Sequence, residues 1–278
     1  MAIPVHGILL LDKPIDITSN RALQIVKRLF NAEKAGHTGS LDPIATGMLP
    51  ICFGEATKFS QFLLESDKCY YVEAKLGVQT TTGDCEGEVV TEQPVVGITA
   101  ALIEQVMQQF LGEIEQIPPM FSAIKFQGQP LYKLARRGIS IERKSRLVRI
   151  HDMTLEHFAG DRLVYRVHCS KGMYVRTLTE DIGKQLGCGA HVVGLRRLMV
   201  SPYQNAVMYT LPALEMIANQ TGSLGLTACL LPVETAVQVF PAVKLSTAAA
   251  FYMRTGQPVR VSFPLNSSLV RLISEDAR

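Results

Sequence analysis

The sequence predicts an α+β protein. Apolar runs of strand length stand beside amphipathic segments of helix length, and the two kinds follow one another with no strict strand–helix–strand alternation. The chain has 278 residues, 47% hydrophobic and 19% charged, which is ample material for a core in one large domain or two. A net charge of +3 is too mild to demand a polyanionic partner by itself. The six cysteines form no C-x-x-C pair and the six histidines are scattered, so reduced thiols and no metal site are expected. The Ile8-Leu9-Leu10-Leu11 run lacks a basic flank and meets Asp12, unlike a signal peptide, and no run reaches the length of a membrane span. A soluble cytoplasmic protein is the expectation.

Gly7 to Lys13 reads as a buried strand ending in a Lys13-Pro14 turn. Thr18 or Ser19 can cap a helix from about Asn20 to Phe30, whose apolar face is Leu23, Val26 and Phe30. Asp16, in the turn between them, tolerates the left-handed region better than most residues. The stretch Gly36-His37-Thr38-Gly39-Ser40-Leu41-Asp42-Pro43-Ile44-Ala45-Thr46-Gly47-Met48-Leu49-Pro50 holds three glycines and two prolines. That is too many for a helix or a central strand, and a shaped loop is expected. Asp42 sits in its middle, either as a turn residue bonding its own backbone or as a placed carboxylate. Glu55 to Leu64 reads as a helix with Ala56, Phe59 and Leu63 inward.

Lys68 to Gly77 alternates, so Tyr70, Val72, Ala74 and Leu76 share a core face and Tyr71, Glu73 and Lys75 face solvent. Gly77 to Gly87 is turn-rich, and Asp84 within it is a brace or an RNA contact. A strand from Glu88 to Val90 follows. A helix from about Ala100 to Leu111 uses Leu102, Ile103, Val106 and Phe110, with Pro118-Pro119 beyond its end. Leu163 to Cys169 is a strand, interrupted by Ser170-Lys171-Gly172 and resumed over Met173 to Arg176. In extended backbone Tyr174 and Arg176 point to one side. A helix then runs to about Leu186, with Leu178, Ile182 and Leu186 in a stripe and Gly187 at its C-terminus.

Charge is concentrated between Lys125 and Arg149. Eight basic residues face the single acid Glu142, and Phe121, Phe126 and Tyr132 are interleaved. A basic groove with aromatic platforms suits looped or single-stranded RNA. From Phe240 the composition shifts to short apolar runs punctuated by Pro241, Gly256-Gln257-Pro258 and Pro264.

Several separated blocks resemble the TruB family of tRNA pseudouridine synthases, in the family's order. They are Lys13-Pro14 with Thr18-Ser19, the Asp42 loop, the Gly77–Gly87 stretch, Pro119 to Arg136, Cys169 to Thr177, and Gly187 to Arg197. The chain departs from the family wording in having Asp16 for Gly and Ser40 for Ala. The resemblance implies a pseudouridine synthase fold, with a central mixed, largely antiparallel sheet and a cleft across it. It implies a catalytic domain over residues 1–238 with a basic insertion that grips RNA. Residues 239–278 resemble the opening of a small β-rich PUA-type module. About forty residues rarely fold alone. Either the chain is truncated, or the module is incomplete and leans on the first domain.

The same resemblance implies conversion of a uridine in the T-loop of tRNA, position 55, to pseudouridine, by a monomer with no cofactor. Its site residues carry over as Asp42 (catalytic carboxylate), Tyr70 (stacking platform and candidate base) and Arg176 (partner of Asp42), with His37, Tyr174 and Leu195 lining the nucleotide site. The reaction needs neither redox change nor activated cosubstrate, in keeping with a sequence lacking a P-loop or dinucleotide glycine motif. The first alternative is a non-catalytic RNA-binding protein or tRNA folding chaperone on the same fold. Others are an RNA N-glycosidase, which would release free uracil, and an α/β enzyme of unrelated substrate.

Overall fold

The computed structural model describes residues 2–261 and 269–276. Its elements in chain order are β1 (Gly7–Lys13), α1 (Ser19–Leu29), β2 (Ala35–His37), β3 (Ala45–Phe53), α2 (Ser60–Glu65), β4 (Lys68–Leu76), β5 (Val78–Thr80) and β6 (Val89–Glu92). There follow α3 (Ala100–Gln108), β7 (Gly112–Gln116), a short hairpin of β8 (Lys125–Phe126) and β9 (Gln129–Pro130), α4 (Leu131–Ala135), β10 (Arg146–Ala159) and β11 (Arg162–Cys169). Then come α5 (Val175–Gln185), β12 (Ala190–Val200), α6 (Leu211–Ala228), β13 (Ala242–Leu245), α7 (Thr247–Arg254) and β14 (Arg271–Ser274).

Eight strands form one sheet in the order β1-β3-β12-β4-β11-β10-β7, with β2 also paired to β3. Every neighbouring pair is antiparallel except β3 with β12. The fold is therefore α+β on a mixed, largely antiparallel sheet, as expected. Helices α1, α3, α5 and α6 contribute to the larger core on one face of the sheet. Residues around α2 and Tyr203 form a smaller core on the other. This explains why β1 does not alternate: Leu9 and Leu11 enter the large core, Ile8 and Leu10 the small one. Among the described residues no helix is long and apolar enough to cross a membrane.

The Asp42 stretch is only partly a loop. Its second half is β3, a central strand, although it contains Gly47 and Pro50. Pro50 is tolerated because β3 changes its lateral partner there. Residues 45–47 pair with β12 and residues 51–53 with β2. On the other side Leu10, opposite Pro50, gives its carbonyl to Tyr209 N–H, so nothing asks Pro50 for a donor. Gly47 is required by close approach: at φ +96° its Cβ would lie 2.2 Å from the Arg197 carbonyl oxygen. α1 begins as predicted, with Thr18 Oγ1 accepting from Arg21 N–H at 3.1 Å, and Asp16 takes a left-handed φ of +65°.

Met173 to Arg176 does not resume a strand. Gly172 turns at φ +81°, Tyr174 is the N-cap of α5, and Arg176 is helical. Two long-range causes decide this. Buried Gln116 bonds both the N–H and the carbonyl of Tyr174, at 2.7 and 3.0 Å, and Val175, Leu178, Thr179 and Ile182 bury a helical stripe. The helix expected over Glu55–Leu64 splits into a 3-10 turn, Gly54–Phe59, and the short α2, with Ala56 and Leu63 buried. In α3, Leu102 faces solvent, and Met107 joins Ile103 and Val106 in the core.

Strands β7, β10 and β12 of the large sheet escaped the sequence reading. β10 buries Val148, Ile150 and Met153, but the register shifts at His151 and spoils its alternation. Beyond residue 238, β13, β14 and α7 form a separate small cluster around Val243, Leu245 and Ala250. The turn residue Pro264 lies outside the described residues.

Adding one methyl at Gly47 should test the β3–β12 seam. Gly47→Ala meets backbone at 2.2 Å and adopts a strained φ, so a loss of at least about 2–3 kcal/mol is expected. Gly36→Ala, in the same stretch with nothing within 4 Å of its Cβ, should cost about 1 kcal/mol or less. Urea denaturation of both variants checks the contrast.

Candidate active site

Asp42 stands on the connection between β2 and β3, and the backbone there is tied down from three directions. Ser19, buried in the first turn of α1, accepts from Leu41 N–H at 2.7 Å and donates to the Leu41 carbonyl at 3.1 Å. Lys13, fully buried, donates to the carbonyls of Pro14 at 2.8 Å, Ile17 at 2.7 Å and Pro43 at 3.4 Å. Arg197, 1% exposed on β12, donates to the carbonyls of Gly39 at 3.0 Å and Met48 at 2.7 Å.

The Asp42 carboxylate is engaged by Arg176, whose Nε lies 3.0 Å from Oδ2. The rest of that guanidinium is also used. Nη1 donates to the Thr82 carbonyl at 2.8 Å and lies 3.5 Å from Asp84 Oδ2, and Nη2 donates to the Phe121 carbonyl at 2.7 Å. Arg176 and Asp84 are only 5% and 4% exposed at the side chain, whereas Asp42 keeps 41% because it faces an open cavity.

That cavity, of about 310 Å³, brings together Asp42, Tyr70, Arg176, Tyr174 and Leu195, with Arg197 and Lys68 on its walls. His37 is not in it. His37 lines an adjoining cavity of about 350 Å³ that shares Asp42 and Arg176 with the first. Tyr132 and Arg136 of the basic insertion form part of its wall, with the Arg136 guanidinium 5.6 Å from the Tyr132 ring centre. Tyr174 is held by Gln116 and lies under Arg146, whose guanidinium is 5.1 Å from the ring centre.

Burial dominates the electrostatics. It raises the Asp42 pKa above the ordinary carboxylate value; Arg176 and Lys13 oppose this, and Asp84 adds to it. The neighbouring walls crowd the carboxylate even though one side stays open. Lys13 is pushed down to about 8 by burial, with Asp42 and Asp16 pulling the other way. Glu180, one turn beyond Arg176, is pushed up to about 7 by burial and then by Asp181. The Tyr70 phenol is raised by burial and drawn back by the Arg197 guanidinium. Burial and Arg197 lower His37, so its imidazole is held neutral, and its Nδ1 is buried with no hydrogen-bond partner among the described residues.

The sequence reading missed Arg197, Ser19 as a loop anchor, Lys68 and Gln116. The buried Lys68 ammonium binds the Leu63, Leu64 and Ser66 carbonyls at the end of α2. Only Ser19 and Arg197 had a sequence signal, since both stand inside motif blocks. The arrangement offers a guanidinium-paired carboxylate beside a phenol, in a cavity with further cations on its walls, suited to a planar, electron-rich group.

A family model described as TruB family pseudouridylate synthase (N terminal domain) matches residues 27–175. A second, described as tRNA pseudouridylate synthase B C-terminal domain, matches residues 176–238. A protein of Coxiella burnetii named tRNA pseudouridine synthase B is 55% identical over 97% of this chain and 87% of its own length. One of the same name from Pseudomonas fluorescens is 53% identical over 99% and 90%. Among solved structures, a Cbf5-Nop10-Gar1 complex contains a chain superposing with TM-score 0.71 at 29% identity, over 90% of this chain and 67% of that one. With one family model spanning more than half of its length and relatives above half identity across nearly all of it, the chain belongs to the TruB family of pseudouridylate synthases.

Proposed function

We propose that the chain isomerises a uridine of tRNA, in the T-loop at position 55, to pseudouridine, with Asp42 as the catalytic carboxylate. The observation that carries this is the Arg176–Asp42 pair at 3.0 Å, opening into the cavity of Tyr70, Tyr174 and Leu195. The relatives' names supply the substrate and reaction. In the reaction the N1–C1′ bond breaks, the uracil turns, and a C5–C1′ bond forms while a proton leaves C5 and N1 gains one. Asp42 acts as nucleophile or base, with Arg176 favouring its charged form.

The target base must leave its stack, at a cost of a few kcal/mol, and stacking on Tyr70 returns about 1–3 kcal/mol of this. Tyr70 is also the acceptor we assign to the C5 proton, with Arg197 the adjacent group favouring its phenolate. His37 and the insertion residues Tyr132 and Arg136 face the second cavity, which suits the rest of the unstacked loop. The family models end at residue 238, which supports a catalytic domain over 1–238 and a separate RNA-binding module after it. A monomer acting in the cytoplasm completes this reading.

Tritium release from a T-arm RNA labelled at C5 of its uridines tests the proposal at single turnover. Wild type should release tritium without free uracil. Asp42→Asn should bind the RNA yet react at least about 10²–10⁴-fold more slowly. Binding without release by wild type would favour an RNA-folding role instead.

Because burial raises Asp42, its ionised form is lost on acidification at a pH above the ordinary carboxylate range. The acid limb of the single-turnover rate should therefore lie above that range.

Arg176→Ala leaves Asp84 buried and unpaired and removes two loop contacts, so a loss of about 3–5 kcal/mol in denaturant titration is expected along with the rate. Arg176→Lys keeps the charge but not the planar fork, and should lose rate while recovering part of the stability.

A further inference from the structure

On the sheet's outer face Asp67, just before β4, and His151 and His168, on β10 and β11, meet side by side. Their ligand atoms all lie within 4.8 Å of one another, and they are the only such group of three among the described residues. His151 Nε2 stands 3.2 Å from Asp67 Oδ2, and the two imidazole rings are 4.8 Å apart between centres. A zinc ion with ligands at about 2.0–2.2 Å in a tetrahedron sets them about 3.3 Å apart. The His151–Asp67 pair already has that spacing. The third ligand needs to close by about 1.5 Å at most, within reach of a side-chain rotation on a solvent-facing surface.

The backbone places these groups deliberately. The β10–β11 register shifts between Ile150 and Asp152, leaving His151 as the extra residue of a bulge. Ile150 and Met153 are buried while His151 and Asp152 between them are both exposed. Alternation from buried Ile150 turns His151 outward, to the face that carries His168, and the bulge lets Asp152 stay outward too before Met153 returns to the core. Asp67 is fixed from behind, since its carbonyl accepts Ser201 N–H at 2.9 Å at the end of β12. All three ligands therefore ride on or beside strands of one sheet, which hold geometry better than a free loop.

We propose that Asp67, His151 and His168 bind one divalent transition-metal ion of the zinc class, with water completing its coordination. Two imidazoles and one carboxylate suit such an ion and exclude calcium and magnesium, which take oxygen ligands. The ion clips the start of β4 to the β10 bulge and to β11. Lys68, which follows Asp67, lines the cavity of Asp42, so the clip also steadies that wall. The inference is independent of the reaction assigned to the cavity.

Titration of the metal-stripped protein with zinc chloride, by calorimetry and thermal melting, tests it. One equivalent should bind saturably and raise Tm. His168→Ala and Asp67→Asn should each weaken binding about tenfold or more and abolish the Tm shift, while melting like wild type in EDTA. If either variant melts lower in EDTA, His151→Gln on the exposed bulge replaces it. Cobalt(II) in place of zinc should give a visible spectrum of nitrogen and oxygen ligation. An intense thiolate band would instead place the metal on a cysteine and overturn the proposal. So would zinc binding that survives in the variants, or no saturable binding by wild type.

Discussion

One buried guanidinium holds the centre of this protein together. Arg176 ties the Asp42 loop, the Thr82–Asp84 turn and the Phe121 backbone into one unit, spending three nitrogens on four oxygens. Each of those segments is a connection between elements, and two of them bring backbone carbonyls that the guanidinium satisfies. A planar fork on a long stem can serve all of them at once, which a point charge cannot. The geometry of the carboxylate is thus a by-product of the same contacts that close the fold. The contacts that fix the carboxylate are therefore also contacts that hold the fold.

The surrounding charges are balanced under strain from burial. Desolvation drives Asp42 up and Lys13 down, in each case toward the neutral form. Their mutual attraction and the Arg176 contact oppose that drift, while Asp84, on the far side of the guanidinium, adds to the rise of Asp42. Arg197 is a further buried cation that pulls the Tyr70 phenol back from its raised value and, with burial, keeps His37 neutral. The two cavities therefore differ in character: one is lined by a paired carboxylate and a phenol, the other by a neutral imidazole and the aromatic and basic side chains of the insertion.

Short-range chemistry made much of this legible. The Thr18 cap, the left-handed Asp16 and the alternation of β4 follow from adjacent residues, and the structure has each of them. Long-range partners decided the rest. Four residues from Met173 to Arg176 carry no periodicity that separates strand from helix, and a glutamine 58 positions away settles the matter. Pro50 argues locally against a central strand, and only the change of neighbour along β3 makes it acceptable. Arg197 reads as one more cation until β12 carries it under the Asp42 loop. β10 hid because its bulge breaks the alternation by which strands are found.

That change of neighbour along β3 bears on how the protein can vary. The strand that follows Asp42 is hydrogen-bonded on both sides and buried through both cores, so the anchor of the Asp42 loop lies within the globally cooperative unit rather than in a segment that opens by itself. Loosening that anchor means loosening the whole molecule, and such variants are lost to unfolding. The insertion, with its short hairpin and the five-residue helix that brings Tyr132 to the second cavity, carries no such penalty. Inheritance can therefore reshape the insertion while leaving the Asp42 loop and its anchor untouched.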